Sequence, residues 1–198
     1  MPIRVKEGEK LINPDGNRFE LESNSCLSLT RITFADQDVF QSFEVVFLGE
    51  NASCELYFLD CAKKYSHLET NIRVIHKVPN CVSKQVHKGL YAENSTGILK
   101  CFIEVSPQAL GTDALQLHRS LLLSPNATSK PEPHFQIAAD AVKCKHGVSI
   151  GQLDEKALFY LKSRGLHETA ARRILIEAFA QEITDRIPER APEVSLWI

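Results

Sequence analysis

Apolar and polar residues alternate with a period of two through the first 150 residues, where no run has helical spacing. Phe43, Val45 and Phe47 form one such run. The other runs consist of Cys54, Leu56 and Phe58; Thr70, Ile72 and Val74; and Leu99, Cys101, Ile103 and Val105. Residues two apart share one face of a strand, so the pattern predicts many short strands. No helix-length amphipathic segment separates them, which argues against a sheet built from βαβ units.

Turn signals separate the predicted strands and leave three architectures open. Examples are Gly49-Glu50-Asn51, Pro79-Asn80 and Ser106-Pro107. A sandwich, a barrel and a β-solenoid all consist of short strands joined by such turns. No clean internal repeat is visible, so spacing by itself does not distinguish among them.

The pattern changes near Gly151, where helical spacing begins. Asp154 and Glu155 place negative charge at a helix start, and Gly165 is a suitable C-terminal stop. A second helix is predicted from about Glu168 to about Ile187, ended by Pro188. Its apolar stripe consists of Ala171, Ile174, Leu175, Ala178, Phe179 and Ile183. This helix either packs on the β region or leaves a wide face for a partner, and the pattern supports both equally.

These patterns divide the chain into three parts. We expect a β region over residues 1–150, a helical hairpin over 151–188 and a tail over 189–198. The tail contains Pro192 and Trp197 and is expected to be a loose terminus.

Charge and hydropathy exclude several classes of function. The net charge of -2 argues against a general nucleic-acid binder, which needs a basic face for phosphates. Apolar runs such as Leu121–Leu123 are too short to cross a bilayer, and residues 1–7 lack the apolar region of a secretory signal. We therefore expect a cytoplasmic protein without membrane or nucleic-acid partners. The cysteines are then expected to be free thiols: Cys26, Cys54, Cys61, Cys81, Cys101 and Cys144.

Cys144 and His146 form the strongest candidate site. On a strand they project from one face, while Lys143 and Lys145 project from the other. Thiolate and imidazole are good ligands for iron, zinc and iron–sulfur clusters, and a neighbouring cation lowers the pKa of a thiol. Two ligands make half a site, because a cluster or a tetrahedral metal normally takes four.

A purely structural interpretation of this pair is also open. Val142 and Val148 lie on the same predicted face, so Cys144 and His146 could be a buried cysteine and a hydrogen-bonded histidine. The pattern by itself favours this structural interpretation.

The other candidate metal-binding and catalytic residues have weaker support than Cys144 and His146. His67, His76 and His87 have no acidic or cysteine neighbour at a metal-binding spacing. Asp60 with Ser66-His67 lacks a nucleophile elbow, and the sequence contains no phosphate-binding glycine loop. A solenoid hydrolase would need clustered acids, which are not evident, so we expect no catalytic residues and no enzyme.

Several short segments together match the pattern of a known protein family. They are Val142–Gly147, Gly151–Glu155, Ala157–Leu161, Ser163–Gly165, Ala171-Arg172 and Ile176–Phe179, with Thr112–Gln116, Leu121–Ser124 and the looser set His76, Pro79, Ser83 and Lys88 upstream. In these segments the chain resembles the SufB/SufD family of iron–sulfur cluster assembly proteins. The resemblance starts at about residue 40, and residues 1–40 match poorly. The Lys-Cys-Lys-His-Gly form of residues 143–147 points to the SufD branch of the family.

The resemblance implies a right-handed parallel β-helix followed by a small helical domain. It implies a non-catalytic scaffold that pairs with a SufB-like subunit through the β-helix and with a SufC-like ATPase through the helices. Cys144 and His146 would contribute to a nascent iron–sulfur cluster shared with SufB, transient at that interface and not bound by the isolated chain. A homodimer of the isolated chain is a further expectation. The alternative function is a degenerate interaction module that handles no metal.

Overall fold

The computed structural model describes residues 1–197, and Ile198 of the predicted tail lies outside the described residues. The β region contains twelve strands. They are β1 (Ile3–Val5), β2 (Lys10–Ile12), β3 (Arg18–Leu21), β4 (Cys26–Ala35), β5 (Val39–Phe47), β6 (Ser53–Ala62), β7 (His67–His76), β8 (Val82–Tyr91), β9 (Thr96–Val105), β10 (Asp113–Leu122), β11 (Thr128–Ile137) and β12 (Lys143–Gly151).

Successive strands alternate between two parallel sheets. The odd-numbered strands form one six-stranded sheet in the order β1-β3-β5-β7-β9-β11, and the even-numbered strands form the other. Each strand therefore serves as the crossover between two neighbouring strands of the opposite sheet, which is the role a helix has in a βαβ unit. This arrangement is a β-solenoid, and it confirms the solenoid among the three architectures that the sequence left open.

Alternate residues of every strand point into the solenoid. The parallel register stacks equivalent positions, such as Phe43 beside Ile72 and Phe58 beside His87. Phe43 and Phe58 meet across the interior with ring centroids 4.8 Å apart. The core therefore consists of side chains that are distant in sequence but equivalent in the solenoid.

The tight turns reveal a repeat that is hidden in the sequence. Asn24, Asn51 and Asn80 have φ values of 57°, 58° and 58°, a left-handed conformation that asparagine tolerates better than most residues. The long strands of the even-numbered sheet begin at residues 26, 53, 82, 113 and 143, about 30 residues apart. The repeat is therefore mainly one of backbone geometry, and these turn asparagines are a trace of it in the sequence.

Residues 1–40 follow the same path as the rest of the solenoid. Ile3 of β1 lies in register with Phe19 of β3, and Val5, Phe19 and Leu21 are fully buried in the interior cluster. This segment is thus part of the same core.

Three helices follow β12. They are α1 (Glu155–Ser163), α2 (Glu168–Thr184) and α3 (Ala191–Trp197), with a single 3₁₀ turn over Pro188–Arg190. The Asp154 side chain accepts a hydrogen bond from the Lys156 N–H and caps α1, and Gly165 has a φ of 90° just after it. No helix within residues 1–197 is long and apolar enough to cross a membrane.

Helix α2 packs on the outer face of the even-numbered sheet. Ile176, Ala180 and Ile183 join one buried cluster with outward-facing Tyr57 and Leu59 of β6. The helix therefore packs on the β region, but not through the predicted stripe as a whole: Ile176 and Ala180 lie outside that stripe, whereas its members Ile174 and Ala178 are exposed. Other apolar side chains of the helices stay exposed as well: Phe159, Tyr160 and Leu196.

Lys88 anchors α2 to the solenoid. Its buried ammonium donates a 2.7 Å hydrogen bond to the Phe179 carbonyl and lies 2.9 Å from the Glu182 carboxylate. A charge this buried is stable only because both partners replace its hydration. Lys88, which belongs to the sequence resemblance, therefore has a structural role.

The tail is folded, so the expectation of a loose terminus is wrong. Val194 of α3 is 1% exposed, and the Trp197 ring lies 6.4 Å from the Phe34 ring of β4. Val194 and Trp197 are three residues apart, so both side chains lie on the helix face that packs against the solenoid. A pattern of two residues is too short to stand out in the sequence.

Candidate metal centre

Cys144 and His146 lie on β12, the last strand of the even-numbered sheet. They are in register with Ala114 and Gln116 of β10, which are buried in the interior. The two side chains therefore share the inward face, as their spacing predicts. Among residues 1–197 no further strand pairs with the outer edge of β12.

The position of β12 at the end of the solenoid explains why Cys144 and His146 have the pattern of core residues and are nevertheless accessible. In an inner turn of the solenoid the inward face of a strand is core, which explains the valines at 142 and 148. At β12 the next turn is absent from the described residues, and His146 and Val148 are exposed while Cys144 is half-buried. Residues with a core pattern thus become accessible at the open end.

Burial dominates the environment of Cys144. The side chain packs against a buried apolar cluster that consists of Ile103, Val105, Ala109, Ala114 and Ala139. Burial raises the pKa of the Cys144 thiol, and the nearby Asp113 carboxylate raises it further. Lys143 and Lys145 project from the exposed outer face of β12, as their spacing predicts, and do not contribute to this shift in pKa.

The raised pKa predicts how Cys144 reacts with an alkylating reagent. Below its pKa the thiol is protonated and slow, so the rate should rise as the pH increases through the raised pKa. Replacing Asp113 with asparagine removes a negative charge that disfavours the thiolate, so the rate at mildly alkaline pH should increase modestly. Mass spectrometry of the Cys144 peptide over time measures this rate.

Asp140→Asn is the matched control for that measurement. Asp140 is an exposed acid in the turn before β12 and does not contribute to the shifted pKa of Cys144. An equal acceleration by both variants would contradict the proposed effect of Asp113.

His146 completes the half-site. Its ring is exposed and lies 5.3 Å from the Phe135 ring of β11, at an angle of 58°. Within residues 1–197 no group of three or more His, Cys, Asp or Glu side chains is arranged to hold a metal ion. One thiol and one imidazole are good iron ligands, and they make half of the usual set of four.

The weaker sequence candidates have other roles. The Ser66 hydroxyl donates to the Lys63 carbonyl, and His67 lies on the surface 3.3 Å from Asp38. A triad of these residues with Asp60 is therefore absent from the structure. His76 shares a 2.9 Å hydrogen bond with Ser83 inside the solenoid.

The structure also reveals an acid–histidine pair that the sequence did not suggest. Asp60 Oδ2 and His87 Nε2 are 2.7 Å apart in the interior, and His87 Nδ1 lies 3.0 Å from His118 Nδ1. Local spacing does not predict this contact, because the residues lie on different strands. Knowledge of the repeat of about 30 residues would have placed His87 beside His118.

Comparison with known proteins identifies the class to which this solenoid belongs. Residues 4–179 match the family model for the SUF system FeS cluster assembly, SufBD core domain. The expectation that residues 1–40 fall outside the resemblance is therefore wrong, as their packing in the solenoid core also indicates.

Curated relatives agree with the family match. Protein ABCI7, chloroplastic, of Arabidopsis thaliana is 38% identical over 144 residues, which is 72% of this chain and 30% of that protein. The iron-sulfur cluster assembly protein SufD of Escherichia coli is 32% identical over 139 residues, 70% of this chain and 33% of that protein. A SufBD family protein of Mycobacterium tuberculosis is 32% identical over 194 residues, 94% of this chain and 48% of that protein.

The chain belongs to the SufBD family of iron–sulfur cluster assembly proteins. It spans between about a third and a half of the length of these relatives.

Proposed function

We propose that this chain is a non-catalytic, SufD-like scaffold that contributes Cys144 and His146 to an iron–sulfur cluster assembled jointly with a SufB-like subunit. The cluster is the cargo of the complex, held transiently at the interface and then passed on. The observation that carries the proposal is the half-site: one thiol and one imidazole presented together at the open end of the solenoid.

The open end also supports pairing with another chain. The outer edge of β12 presents backbone donors and acceptors that no strand within residues 1–197 satisfies. Such an edge pairs readily with a second strand, and the pairing would bring a partner's ligands beside Cys144 and His146. In the absence of a SufB-like subunit the same edges would pair two copies of this chain.

The helices support a second contact, with a SufC-like ATPase. Phe159 and Tyr160 of α1 are 74% and 56% exposed, so α1 presents large apolar side chains to solvent. The sequence has no nucleotide-binding loop, so the energy for assembly would come from the ATPase.

Reconstitution tests the proposal. The chain is co-expressed anaerobically with SufB-like and SufC-like partners, and iron and acid-labile sulfide are measured in the complex after size exclusion. Cys144→Ala and His146→Ala should each lower the cluster content severalfold without dissociating the complex. Lys145→Ala, between them on the outer face of β12, is the matched control and should leave it unchanged.

Because Cys144 and His146 supply only two ligands, the competing function is an interaction module, and the same experiment tests it. An interaction module that handles no metal would form the complex and would load clusters equally well in all four proteins. That outcome would refute the ligand roles of Cys144 and His146.

A further inference from the structure

A continuous chain of hydrogen bonds runs through the interior of the solenoid to its open end. Asp60 of β6 contacts His87 of β8, which contacts His118 of β10. His118 Nε2 lies 2.7 Å from the Ser120 hydroxyl, which lies 2.6 Å from the Ser129 hydroxyl of β11. Asp60, His87, His118 and Ser120 are buried, whereas Ser129 is half-buried on the last strand of the odd-numbered sheet.

The donors around Asp60 fix the direction of this chain. The Thr70 hydroxyl donates to Oδ2, and the Gln41 amide donates to Oδ1 at 3.1 Å. With His87 Nε2–H as the third donor, the carboxylate accepts every bond it makes. His87 Nδ1 is then the acceptor of the proton on His118 Nδ1, and His118 Nε2 accepts from Ser120, which accepts from Ser129.

The reverse direction is equally well bonded once a single proton is added. If His87 carries protons on both nitrogens, its Nδ1–H donates to His118 Nδ1. His118 then donates through Nε2–H to Ser120, and Ser120 donates to Ser129. Both states satisfy every polar atom of the chain, and they differ by one proton.

We propose that Asp60, His87, His118, Ser120 and Ser129 form a proton relay that stores one proton on His87 and exchanges it with solvent at Ser129. On loading, a proton from water binds Ser129 Oγ as that oxygen passes its own to Ser120. Ser120 passes its proton to His118 Nε2, and His118 passes its Nδ1 proton to His87. The product is a neutral, buried ion pair of Asp60 and His87, and no other bond changes.

The surroundings favour storage on His87 rather than on His118. His87 faces a carboxylate, whereas burial and the neighbouring His87 lower the pKa of His118 to about 3. A proton that passes along the chain is therefore retained at the end where the opposite charge lies.

The other ionisable groups near this chain do not compete for the proton. Burial raises the pKa values of Cys61, Tyr91 and Cys101, so these groups stay neutral. On the inner face of β4, Arg31 is separated from His87 by Phe58 and donates to the Thr30 carbonyl. On β7, burial lowers the pKa of His76 to about 4, and its ring contacts Ser83.

Histidine ring ¹⁵N NMR of the full chain tests the relay. At alkaline pH the spectra should show His87 as the Nε2–H tautomer and His118 as the rarer Nδ1–H tautomer. On acidification His87 should gain its second proton while His118 switches to the Nε2–H tautomer without becoming charged, and both changes should have the same midpoint. A rigid structural network would give no switch of His118, which would refute the relay.

Ser129→Ala tests the route to solvent. Removal of the entry hydroxyl should slow exchange of the two ring protons with water roughly tenfold or more. Thr128→Ala is the control, because its side chain projects from the opposite face of β11. Unchanged exchange in Ser129→Ala would exclude entry at this end. Because the relay uses neither Cys144 nor His146, its failure would leave the proposed cluster site untouched.

Discussion

Replacing Asp60 with alanine is expected to lower the free energy of unfolding by about 3–5 kcal/mol. The substitution leaves the Thr70 hydroxyl, the Gln41 amide and the His87 ring without their shared acceptor. These donors are buried or half-buried in the interior, so water compensates for the loss poorly. Urea unfolding followed by circular dichroism measures the change.

Asp36→Ala is the matched control for Asp60→Ala. Asp36 forms an equally short ion pair, 2.7 Å from Lys64, but both side chains are more than half exposed. A surface pair of this kind contributes little to stability. Equal destabilisation by the two variants would show that the interior network does not stabilise the fold.

Replacing Gly97 with alanine is expected to cost about 3 kcal/mol through overpacking. The Tyr91 ring is buried between Gly89 and Gly97, and a Cβ atom at position 97 would lie 1.9 Å from Tyr91 Cζ. The interior does not let the ring move away without displacing its neighbours. Thermal and urea unfolding both report this loss.

Two variants separate the clash from a general effect of removing glycine. Gly151→Ala should have little effect, because no heavy atom lies within 4 Å of its Cβ position. In a Tyr91→Leu background Gly97→Ala should cost much less, because the ring it meets is gone. An undiminished cost in that background would contradict the proposed clash.

Elements with a local pattern were predictable from the sequence. The alternating runs at Phe43–Phe47 and Thr70–Val74 are strands, and Glu168 begins a helix as expected. Helix α2 ends at Thr184 rather than near Ile187. The ring of Pro188 disfavours helical geometry in the residue before it, so the helix ends ahead of the proline. Helix α3 was missed because a single pair of apolar residues decides its packing.

Contacts between turns of the solenoid were not predictable from local spacing. Asp60, His87 and His118 are each an isolated polar residue in the sequence. They come together because each faces inward and the strands pair in parallel register. By contrast, Cys144 and His146 lie on one strand, so the period of two was sufficient to place them on one face. Whether that face was core or accessible depended on the position of β12 at the sheet edge.

The most direct test of the shared cluster site asks whether His146 ligates iron. The chain is labelled with ¹⁵N-histidine and assembled with unlabelled SufB-like and SufC-like partners, and the cluster is reduced to a paramagnetic state. Electron–nuclear double resonance should then detect strong ¹⁵N coupling that disappears in His146→Ala and persists in His134→Ala, a nearby exposed histidine of β11. Strong ¹⁵N coupling that survives in His146→Ala, or a loaded cluster without any, would contradict ligation by His146.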